Sequence, residues 1–402
     1  MVPTIALEDL GFDRGAHVLV ERALAGLRPG DAVGVTGRDP HLGVHLPAWC
    51  RAQGHEVTRD DTHAVDAFGF AFTVVKGPAG DARWRGATRA GGPAPAGVVD
   101  RAPPTWGLAA RGALVEAGGP PLRHADLDTR AEVWADIAPK LYAQALAGQW
   151  DPQTAVDWTA PLHPDPEVEA AVVQVMTYLV ENELAALVVP ARFIARVHPH
   201  YREVVQLLAV QAADEARHVE VFTRRAELSG GPLGTSGAGG RASLQTLLDE
   251  PDFSLAAFLL SVLGEGTFLD LLSFLERHGP DPVTRRVAHL ALADEARHVA
   301  FGVAHLEHRL AGDPGLRSRL RAAVERRHDV LASTAGLHAG VHGALVVLAA
   351  GSWAPAAVAA GWDRVQALVA AMDEGRRRRL ARLGFAPAEA AELSALHTRN
   401  FM

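Results

Sequence analysis

The pentapeptide Asp-Glu-Ala-Arg-His occurs twice in this chain of 402 residues, at 214–218 and again at 294–298. Each copy places a glutamate and a histidine three residues apart among apolar and helix-forming neighbours. Because positions i and i+3 share one face of an α-helix, each copy can present a carboxylate and an imidazole to a common point. Oxygen and imidazole nitrogen ligands of this kind bind divalent transition metals, so the repeated motif predicts a metal centre.

A centre with two metal ions in a helical bundle needs one further glutamate from each of two other helices. A glutamate lies on an apolar, helix-like stretch upstream of each pentapeptide. The predicted metal ligands, which are also the predicted catalytic residues, are therefore Glu183, Glu215, His218, Glu265, Glu295 and His298. A single Glu-x-x-His pair is explained better by a solvated ion-pair face, whereas two copies with matching upstream glutamates are not. Two divalent cations would also balance four carboxylates that are costly to bury alone.

One ligand position in the first half stays open. Glu181 and Glu183 lie two residues apart on the same predicted helix, so they point in different directions and cannot both reach the metals. Glu183 is the preferred ligand and Glu181 is the alternative. Near the glutamate of the second half, Thr267 could donate a hydrogen bond into the site, or it could simply allow close helix packing.

The aspartate and arginine of each pentapeptide are predicted to support the ligands. Metal-bound histidine usually donates its second ring N–H to a carboxylate, which fixes the orientation of the ring. The aspartate of each copy could accept that N–H from the histidine of the other copy, and the arginines could hold the aspartates through charge-assisted hydrogen bonds. The alternative is that these side chains are ordinary surface residues. The supporting residues are Asp214, Arg217, Asp294 and Arg297.

The two Asp-Glu-x-Arg-His motifs with their upstream glutamates resemble the ferritin-like di-iron carboxylate superfamily. This superfamily includes bacterial multicomponent monooxygenases, acyl carrier protein desaturases, p-aminobenzoate N-oxygenase-like enzymes and ribonucleotide reductase small subunits. The resemblance is strong over residues 165–310. It implies a four-helix bundle, two Fe ions with Mn/Fe as an alternative, O2 as co-substrate, and an external electron donor such as ferredoxin or a reductase.

The resemblance leaves the reaction open among hydroxylation, N-oxygenation, desaturation and oxidative cleavage of a small organic substrate, free or carrier-bound. A ferritin-like iron-binding or ferroxidase protein without an organic substrate is the main alternative. A radical generator of the reductase type is disfavoured, because Phe222 stands where that family places a tyrosine. A scaffold with a vestigial site is also disfavoured, because every ligand position is intact.

Composition limits the other classes of function. A net charge of −8 and a pI near 6.2 argue against nucleic acid as a partner. The single cysteine, Cys50, excludes a disulfide framework and a thiolate metal cluster, and suits a reducing compartment. The N-terminus lacks the pattern of a signal peptide, and the uncharged run 339–362 is interpreted as buried helices and a turn rather than a membrane span. We expect a cytoplasmic protein with no membrane partner, and a homodimer.

Residues 1–76 are predicted to form a small two-layer α/β domain. They resemble the TusA-like sulfur-carrier family in four short stretches, at 27–31, 39–40, 46–51 and 54–56. That family carries a reactive Cys-Pro pair near its N-terminus, where this chain has Asp-Arg-Gly-Ala at 13–16. A docking or structural role is therefore favoured over sulfur transfer, and Cys50 is interpreted as a buried small hydrophobe.

The remaining chain is predicted to be mainly α. Residues 77–125 form a Gly/Pro-rich linker region, and residues 126–402 form a ferritin-like four-helix bundle with extra flanking helices and a C-terminal helical extension. Before the bundle comes an amphipathic helix over 127–148. The four core helices are predicted at 166–197, 200–229, 252–278 and 281–311.

Four smaller features complete the expectations. Pro190 should kink or end the first core helix. His198 and His200 are expected to face solvent, and the basic run 376–379 is expected to be a solvated helix face. The apolar tail 396–402 is expected to pack back onto the bundle.

Overall fold

The structure is a computed structural model that describes residues 2–60, 69–79, 83–332 and 339–398. It divides into two compact units: Met1–Arg89 with Ala113–Pro120, and Ala90–Gly112 with Pro121–Met402. The predicted linker region 77–125 is thus shared between the two units. Part of it is packed, since Trp106 is 8 % exposed and Arg111 is buried with Glu203, which accepts its hydrogen bond at 2.7 Å.

Among its described residues, the first unit contains a four-stranded sheet packed with the helices α1 and α2. Its elements are β1 (Thr4–Ala6), α1 (Ala16–Ala25), β2 (Ala32–Gly37), α2 (Leu42–Gln53), β3 (Glu56–Arg59), β4 (Phe70–Val75) and the short pair β5 (Thr88–Arg89) and β6 (Leu114–Val115). The strand order is β1-β2-β4-β3, with β1 parallel to β2 and the other pairs antiparallel. Residues 61–68 lie outside the described residues.

The core of this unit follows from its periodicity. Burial alternates along β2, where Val33 and Val35 face the helices. One face of α2 is buried through Leu42, Leu46 and Cys50. The helix ends at Gly54, whose φ of 72° is the left-handed conformation that glycine adopts readily at a helix C-terminus.

The second unit is mainly α and contains the predicted bundle of four core helices. Its helices are α3 (Arg130–Val133), α4 (Ala138–Ala147), α5 (Pro166–Ile194), α6 (Arg202–Glu227), α7 (Ala238–Leu248), α8 (Phe253–His278), α9 (Pro282–Gly312), α10 (Leu316–Ala332), α11 (Ala339–Ala350), α12 (Pro355–Arg382) and α13 (Pro387–Thr398). The four long helices α5, α6, α8 and α9 correspond to the predicted core helices. Helix α5 packs along α6, the second half of α8 packs along α9, and α7 lies in the connection between the two pairs.

The predicted helix over 127–148 is instead two short helices, α3 and α4. Trp134 has extended backbone angles at the end of α3, and Pro139 lies in the first turn of α4. Pro139 has no backbone N–H to bond to the preceding turn, so it favours a helix that begins at this point over one that continues through it.

The two outer core helices begin in the same way. Asp165 caps α5 by accepting the backbone N–H of Glu167, and Asp281 caps α9 by accepting that of Thr284. In each case proline occupies the first helical position, where its missing N–H costs nothing. Pro190 does not end α5, which continues to Ile194 within the packed bundle.

A fully buried arginine joins three of these helices. Arg225 on α6 donates to both carboxylate oxygens of Glu169 on α5, at 2.7 and 2.8 Å, and to Asp281 at 2.8 Å. Its Nε also donates to the hydroxyl of Thr284 at 2.8 Å. Glu169 and Asp281 each lie 14 residues before a predicted glutamate ligand. Their shared contact with Arg225 therefore holds α5 and α9 in a register that places the two ligands at the same level along the bundle.

Helices α5 and α8 are long and apolar enough to span a membrane by length and composition alone. However, 67 % and 83 % of their most apolar windows are buried inside the protein. Their hydrophobicity is therefore used mainly by the bundle core. The uncharged run 339–362 forms α11 and the start of α12, which are bent by 115° at the turn between them.

Of three expectations about exposure, that for the two histidines is wrong, that for the basic run is wrong at Arg376, and that for the tail holds at His397. His198 and His200 are 1 % and 4 % exposed, because segment 90–112 covers them and Val99 donates its N–H to His200 Nε2 at 3.0 Å. Arg376, at the start of the basic run, is 1 % exposed. In the tail, His397 is 4 % exposed, whereas residues 399–402 lie outside the described residues.

Candidate metal centre

Each of the four core helices contributes one glutamate to the interior of the bundle. The helices α6 and α9 each add a histidine one turn later, as the i, i+3 spacing requires. None of these six side chains is more than 5 % exposed. They are Glu183 on α5, Glu215 and His218 on α6, Glu265 on α8, and Glu295 and His298 on α9.

The structure brings these six side chains together in two overlapping groups. The first contains Glu183 and His218, the second contains Glu265 and His298, and both contain Glu215 and Glu295. Within each group the ligand atoms lie within 4.8 Å of one another. If two ions bound here, Glu215 and Glu295 would be available to both, and each remaining Glu–His pair would hold one. Glu183 belongs to a group and Glu181 does not, among the residues that the structure describes.

The Nε2 atom of each histidine faces the aspartate of the other pentapeptide. His218 Nε2 lies 3.2 Å from Asp294 Oδ2, and His298 Nε2 lies 3.3 Å from Asp214 Oδ2. If each Nε2 carries the hydrogen and donates it to aspartate, the lone pair is on Nδ1. The pairing thus selects the tautomer in which Nδ1 is free for a metal.

The Nδ1 atoms point at the carboxylates. His218 Nδ1 lies 3.1 Å from Glu215 Oε2 and 3.3 Å from Glu295 Oε1. His298 Nδ1 lies 2.9 Å from Glu215 Oε1 and 3.4 Å from Glu295 Oε2. The contact of 2.9 Å does not have the angles of a hydrogen bond. His298 Nδ1 and Glu215 Oε1 therefore have no hydrogen-bond partner among the described residues. The histidine nitrogens and the glutamate oxygens therefore converge, as the ligand atoms of a metal site do.

The two arginines of the pentapeptides bridge the two aspartates. Arg217 donates to Asp214 and, at 3.2 Å, to Asp294. Arg297 donates to Asp294 and, at 3.5 Å, to Asp214. Both guanidinium groups are about seven-eighths buried, with side-chain exposures of 12 % and 13 %. All four predicted supporting residues thus lie in one network next to the histidines.

Two further residues in this network were missed by sequence reasoning. Gln149 donates to Asp214 at 3.1 Å, and Trp150 donates its indole N–H to Asp294 at 2.8 Å. The Trp150 ring also stacks beside His218, with ring centroids 6.4 Å apart. In the sequence these two residues are a Gln-Trp pair just after a helix. Such a pair is typical of core packing and does not indicate a hydrogen-bond partner.

The cluster fits divalent metal ions because its polar atoms are otherwise unpaired. Among the described residues, no hydrogen-bond partner is present for one oxygen of Glu183, Glu215 and Glu265, for both oxygens of Glu295, or for His298 Nδ1. Buried polar atoms without partners are rare because they are costly. Two divalent cations would supply the missing contacts, and mixed oxygen and imidazole ligands suit Fe or Mn.

The charges of the cluster also indicate a cation site. Burial, and then the neighbouring carboxylates, raise the pKa of Glu183 and of Glu265 well above the ordinary value. Burial alone would lower the pKa of His218 and of His298, but the surrounding carboxylates raise it well above the ordinary value. The site therefore holds protons where cations would otherwise bind.

Helix α8 departs from the predicted continuous α-helix. Phe258–Glu265 is π-helical and ends at the metal-site glutamate, a feature that is frequent at functional sites. Gln211 donates to Glu265 Oε1 at 3.0 Å. The hydroxyl of Thr267 donates to the backbone oxygen of Leu263 at 2.6 Å, so it is not available to donate into the site.

A narrow pocket opens beside the cluster. Its lining includes three of the predicted metal ligands, Glu183, Glu265 and Glu295, and apolar residues such as Leu244 and Phe268. About 20 Å³ of its volume accepts the centre of a water molecule. The pocket thus connects the metal-site carboxylates with mainly apolar surroundings.

No model of a known protein family matches the chain, and no curated protein matches it. Solved structures of R2-like ligand-binding oxidases do match. One, with an aerobically reconstituted metal cofactor after photoconversion, is 17 % identical over 65 % of this chain and 90 % of its own, with a TM-score of 0.37. A variant with an anaerobically reconstituted Mn/Fe cofactor is 19 % identical over 61 % and 92 %, with a TM-score of 0.44. The oxidase from Sulfolobus acidocaldarius is 16 % identical over 60 % and 91 %, with a TM-score of 0.40.

Proposed function

We propose that this chain is a dinuclear-metal oxidoreductase, with di-iron or Mn/Fe, that uses O2 to oxidise a small organic substrate. The observation that carries the proposal is the pair of buried ligand groups that share Glu215 and Glu295. When bound, two such ions would supply the electron transfer to O2 that the carboxylates and imidazoles of the site do not provide. The reaction is one of hydroxylation, N-oxygenation, desaturation or oxidative cleavage.

The chain's own residues would hold and tune the ions. Asp214 and Asp294 keep a proton on Nε2 of the facing histidine, so that Nδ1 remains a ligand atom. Arg217 and Arg297 bridge these aspartates, so a shift of one histidine would disturb the other. The apolar walls of the pocket would exclude bulk water from a substrate bound next to the carboxylates.

An electron donor is part of the proposal because the electrons must balance. Reduction of O2 to the level of water consumes four electrons, and a two-electron oxidation of the substrate supplies only two. The other two would come from an external donor such as ferredoxin or a reductase. We further propose that the protein acts in the cytoplasm as a homodimer.

Metal content tests the proposal directly. The full-length protein is loaded anaerobically with Fe(II), or with Mn(II) and Fe(II), and desalted, and its metals are measured by mass spectrometry. We expect two ions per chain, and O2 consumption when a chemical reductant is supplied. Glu183→Ala should lose at least one ion, whereas the matched control Glu181→Ala should keep both. A wild-type protein that retains no metal would overturn the proposal.

A ferroxidase without an organic substrate is the second candidate. The small free space of the pocket, about 20 Å³ for water centres, favours it because a substrate needs more room. A ferroxidase of the storage type would oxidise many Fe(II) per chain and assemble into a shell of many subunits. Light scattering and the Fe(II) to protein ratio at saturation separate the two. A dimer that stops at two Fe(II) per chain supports the oxidase.

A further inference from the structure

Two arginines of the basic run 376–379 point into the protein, and two point out. Arg376 is 1 % exposed, and Arg379 is partly buried. By contrast, Arg377 and Arg378 keep 50 % and 70 % of their side-chain surface accessible. Positions i and i+3 share one face of a helix, so the two inner arginines lie side by side on α12. Burial lowers the pKa of both to about 10, so both remain charged at neutral pH.

The inner arginines contact the π-helical stretch Phe258–Glu265 of α8. In an α-helix the carbonyl of Val262 would accept the N–H of Gly266, four residues later. In this structure the N–H of Gly266 bonds to other carbonyls, including that of Ser261 five residues back. Arg379 Nε donates to the Val262 carbonyl at 2.7 Å. The arginine thus replaces a donor that the α-helical backbone would have supplied.

Arg376 supports the next carbonyl of the same turn through a threonine. The hydroxyl of Thr267 donates to the Leu263 carbonyl at 2.6 Å and accepts from Arg376 Nη1 at 3.3 Å. Arg376 Nε donates to the hydroxyl of Ser394 on α13 at 3.0 Å, and this hydroxyl donates to Asp373 at 2.6 Å. Helices α12 and α13, which lie outside the four core helices, are therefore joined to the turn that precedes a metal-site glutamate.

Two glycines allow the Arg379 guanidinium to lie close to the backbone. A Cβ at Gly266 would lie 2.5 Å from Arg379 Cζ, and a Cβ at Gly375 would lie 3.2 Å from Arg379 Nη1. The φ of Gly266 is −58°, which any residue adopts in a helix. The close approach of the guanidinium, and not the backbone conformation, is thus what requires glycine at this position. A side chain there would displace the guanidinium from α8.

The π-helical turn sets the direction of Glu265. An α-helix turns by about 100° per residue, because it has 3.6 residues per turn. A change from i→i+5 to i→i+4 bonding shifts the register by one residue, so it would rotate one side of the stretch by about that angle relative to the other. Glu265 would then lose the hydrogen bond that Gln211 donates to its Oε1 at 3.0 Å. It would also leave the ligand group that it forms with His298.

We propose that Arg376 and Arg379 are positioning residues, which hold Phe258–Glu265 in its π-helical form and so direct Glu265 towards the metal centre. This inference rests on the proposed function, since it concerns how one of the metal ligands is placed. It gives the C-terminal helical extension a part in the metal centre. The alternative is a role limited to packing α12 against α8.

Competition with a chelator tests the inference on the full-length protein loaded anaerobically with two Fe(II) ions. In Arg379→Met the π-helical form is less populated, and the apparent metal affinity falls by the same factor. We expect one of the two ions to bind at least tenfold more weakly, because a hydrogen bond from a charged donor is lost and Glu265 belongs to one of the two ligand groups. Arg378→Met is the matched control and should bind both ions as the wild type does.

Gly266→Ala is the second variant. It keeps both arginines, but its Cβ would displace the Arg379 guanidinium. Alanine is a better helix former than glycine, so a general loss of stability is not expected. Gly266→Ala should therefore weaken the same ion as Arg379→Met. It takes the place of Arg379→Met if that variant does not fold.

Crystal structures of the metal-free wild type and variants give a second readout. In Arg379→Met we expect i→i+4 bonds within Phe258–Glu265, and a Glu265 carboxylate that no longer accepts from Gln211. A role limited to helix packing would leave both features unchanged. It would also lower the affinity for the two ions to the same extent, through a general loosening of the bundle.

Three results would overturn the inference: two ions bound as tightly in Arg379→Met as in the wild type, two ions weakened equally, or an unchanged π-helical stretch with Glu265 still bonded to Gln211. If the wild type holds two ions, each of these results counts against this inference alone. A wild type without metal counts against the proposed function, and the positioning role is then judged on the crystal structures.

Discussion

The buried arginine at the base of the bundle gives the sharpest prediction about stability. Arg225→Met removes the guanidinium and keeps an apolar side chain of similar length. Glu169 and Asp281 are 9 % and 1 % exposed, so they lose their partner in a place that water barely reaches. Breaking a buried ion pair from one side costs about 3–5 kcal/mol. We expect a loss within this range in the free energy of unfolding at pH 7.5.

The pH dependence of that loss follows from linkage. Burial alone would raise the pKa of Asp281, but Arg225 holds it below its ordinary value, so in the wild type this carboxylate stabilises the fold at pH values above the unfolded pKa. In Arg225→Met the carboxylate is buried without a cation, and its folded pKa rises. It then destabilises the fold as pH increases. The difference between wild type and variant should therefore be larger at pH 7.5 than at pH 5.

Urea unfolding followed by far-UV circular dichroism measures the loss, because most of the helical signal comes from the bundle. Arg224→Met is the matched control, and its cost should stay within about 1 kcal/mol, since the contacts of Arg224 in the described part of the chain are a tryptophan face and Gln153. The triple variant Arg225→Met with Glu169→Gln and Asp281→Asn should recover most of the loss, and asparagine still caps the helix. A loss below 1 kcal/mol, the same loss at both pH values, or no recovery in the triple variant would refute the reasoning.

Three other predictions concern the metal centre and the first unit. Asp214→Asn and Asp294→Asn should each weaken metal binding by about 10- to 100-fold in competition with a chelator, because the histidine loses its carboxylate acceptor; unchanged affinity in both would contradict the tautomer assignment. Metal loading at pH 7 should release protons, because the pKa values of Glu183 and Glu265 are raised well above the ordinary value and the ligands must be deprotonated. Calorimetry in buffers of different ionisation enthalpy measures this release, and affinity that rises as pH falls would contradict it. Burial raises the pKa of Cys50 to about 11, so its reaction with a disulfide reagent at pH 8 should be slow in the native protein and fast in urea; fast native reaction would reopen a carrier role.

The sequence was sufficient for features that depend on helical periodicity. The i, i+3 spacing places Glu215 with His218 and Glu295 with His298 whatever the surroundings, and the Asp-Pro pairs mark where α5 and α9 begin. The small α/β unit also follows from local patterns of strand and turn residues. Its likeness to sulfur carriers stays a prediction.

Features that depend on tertiary packing were not predictable in this way. The sequence around Gln149 and Trp150 gives no indication that each bonds to an aspartate on another helix. Similarly, the sequence of the basic run 376–379 predicts a solvated face. In the fold, however, Arg379 Nε donates to the Val262 carbonyl in the π-helical stretch at 2.7 Å. That stretch contains no proline. Its wider π-helical turn depends on contacts that the neighbouring helices make with its backbone.

The two aspartates of the repeated pentapeptide have different neighbours, so the two copies of the motif are not structurally equivalent. One aspartate accepts from the neutral amide of Gln149, and the other accepts from the indole of Trp150, which also covers one imidazole ring. The two halves therefore present electronically distinct environments despite identical pentapeptides. An ion in one half would differ from its neighbour in binding order and reduction potential, so a repeated sequence can discriminate between two metals or two oxidation states.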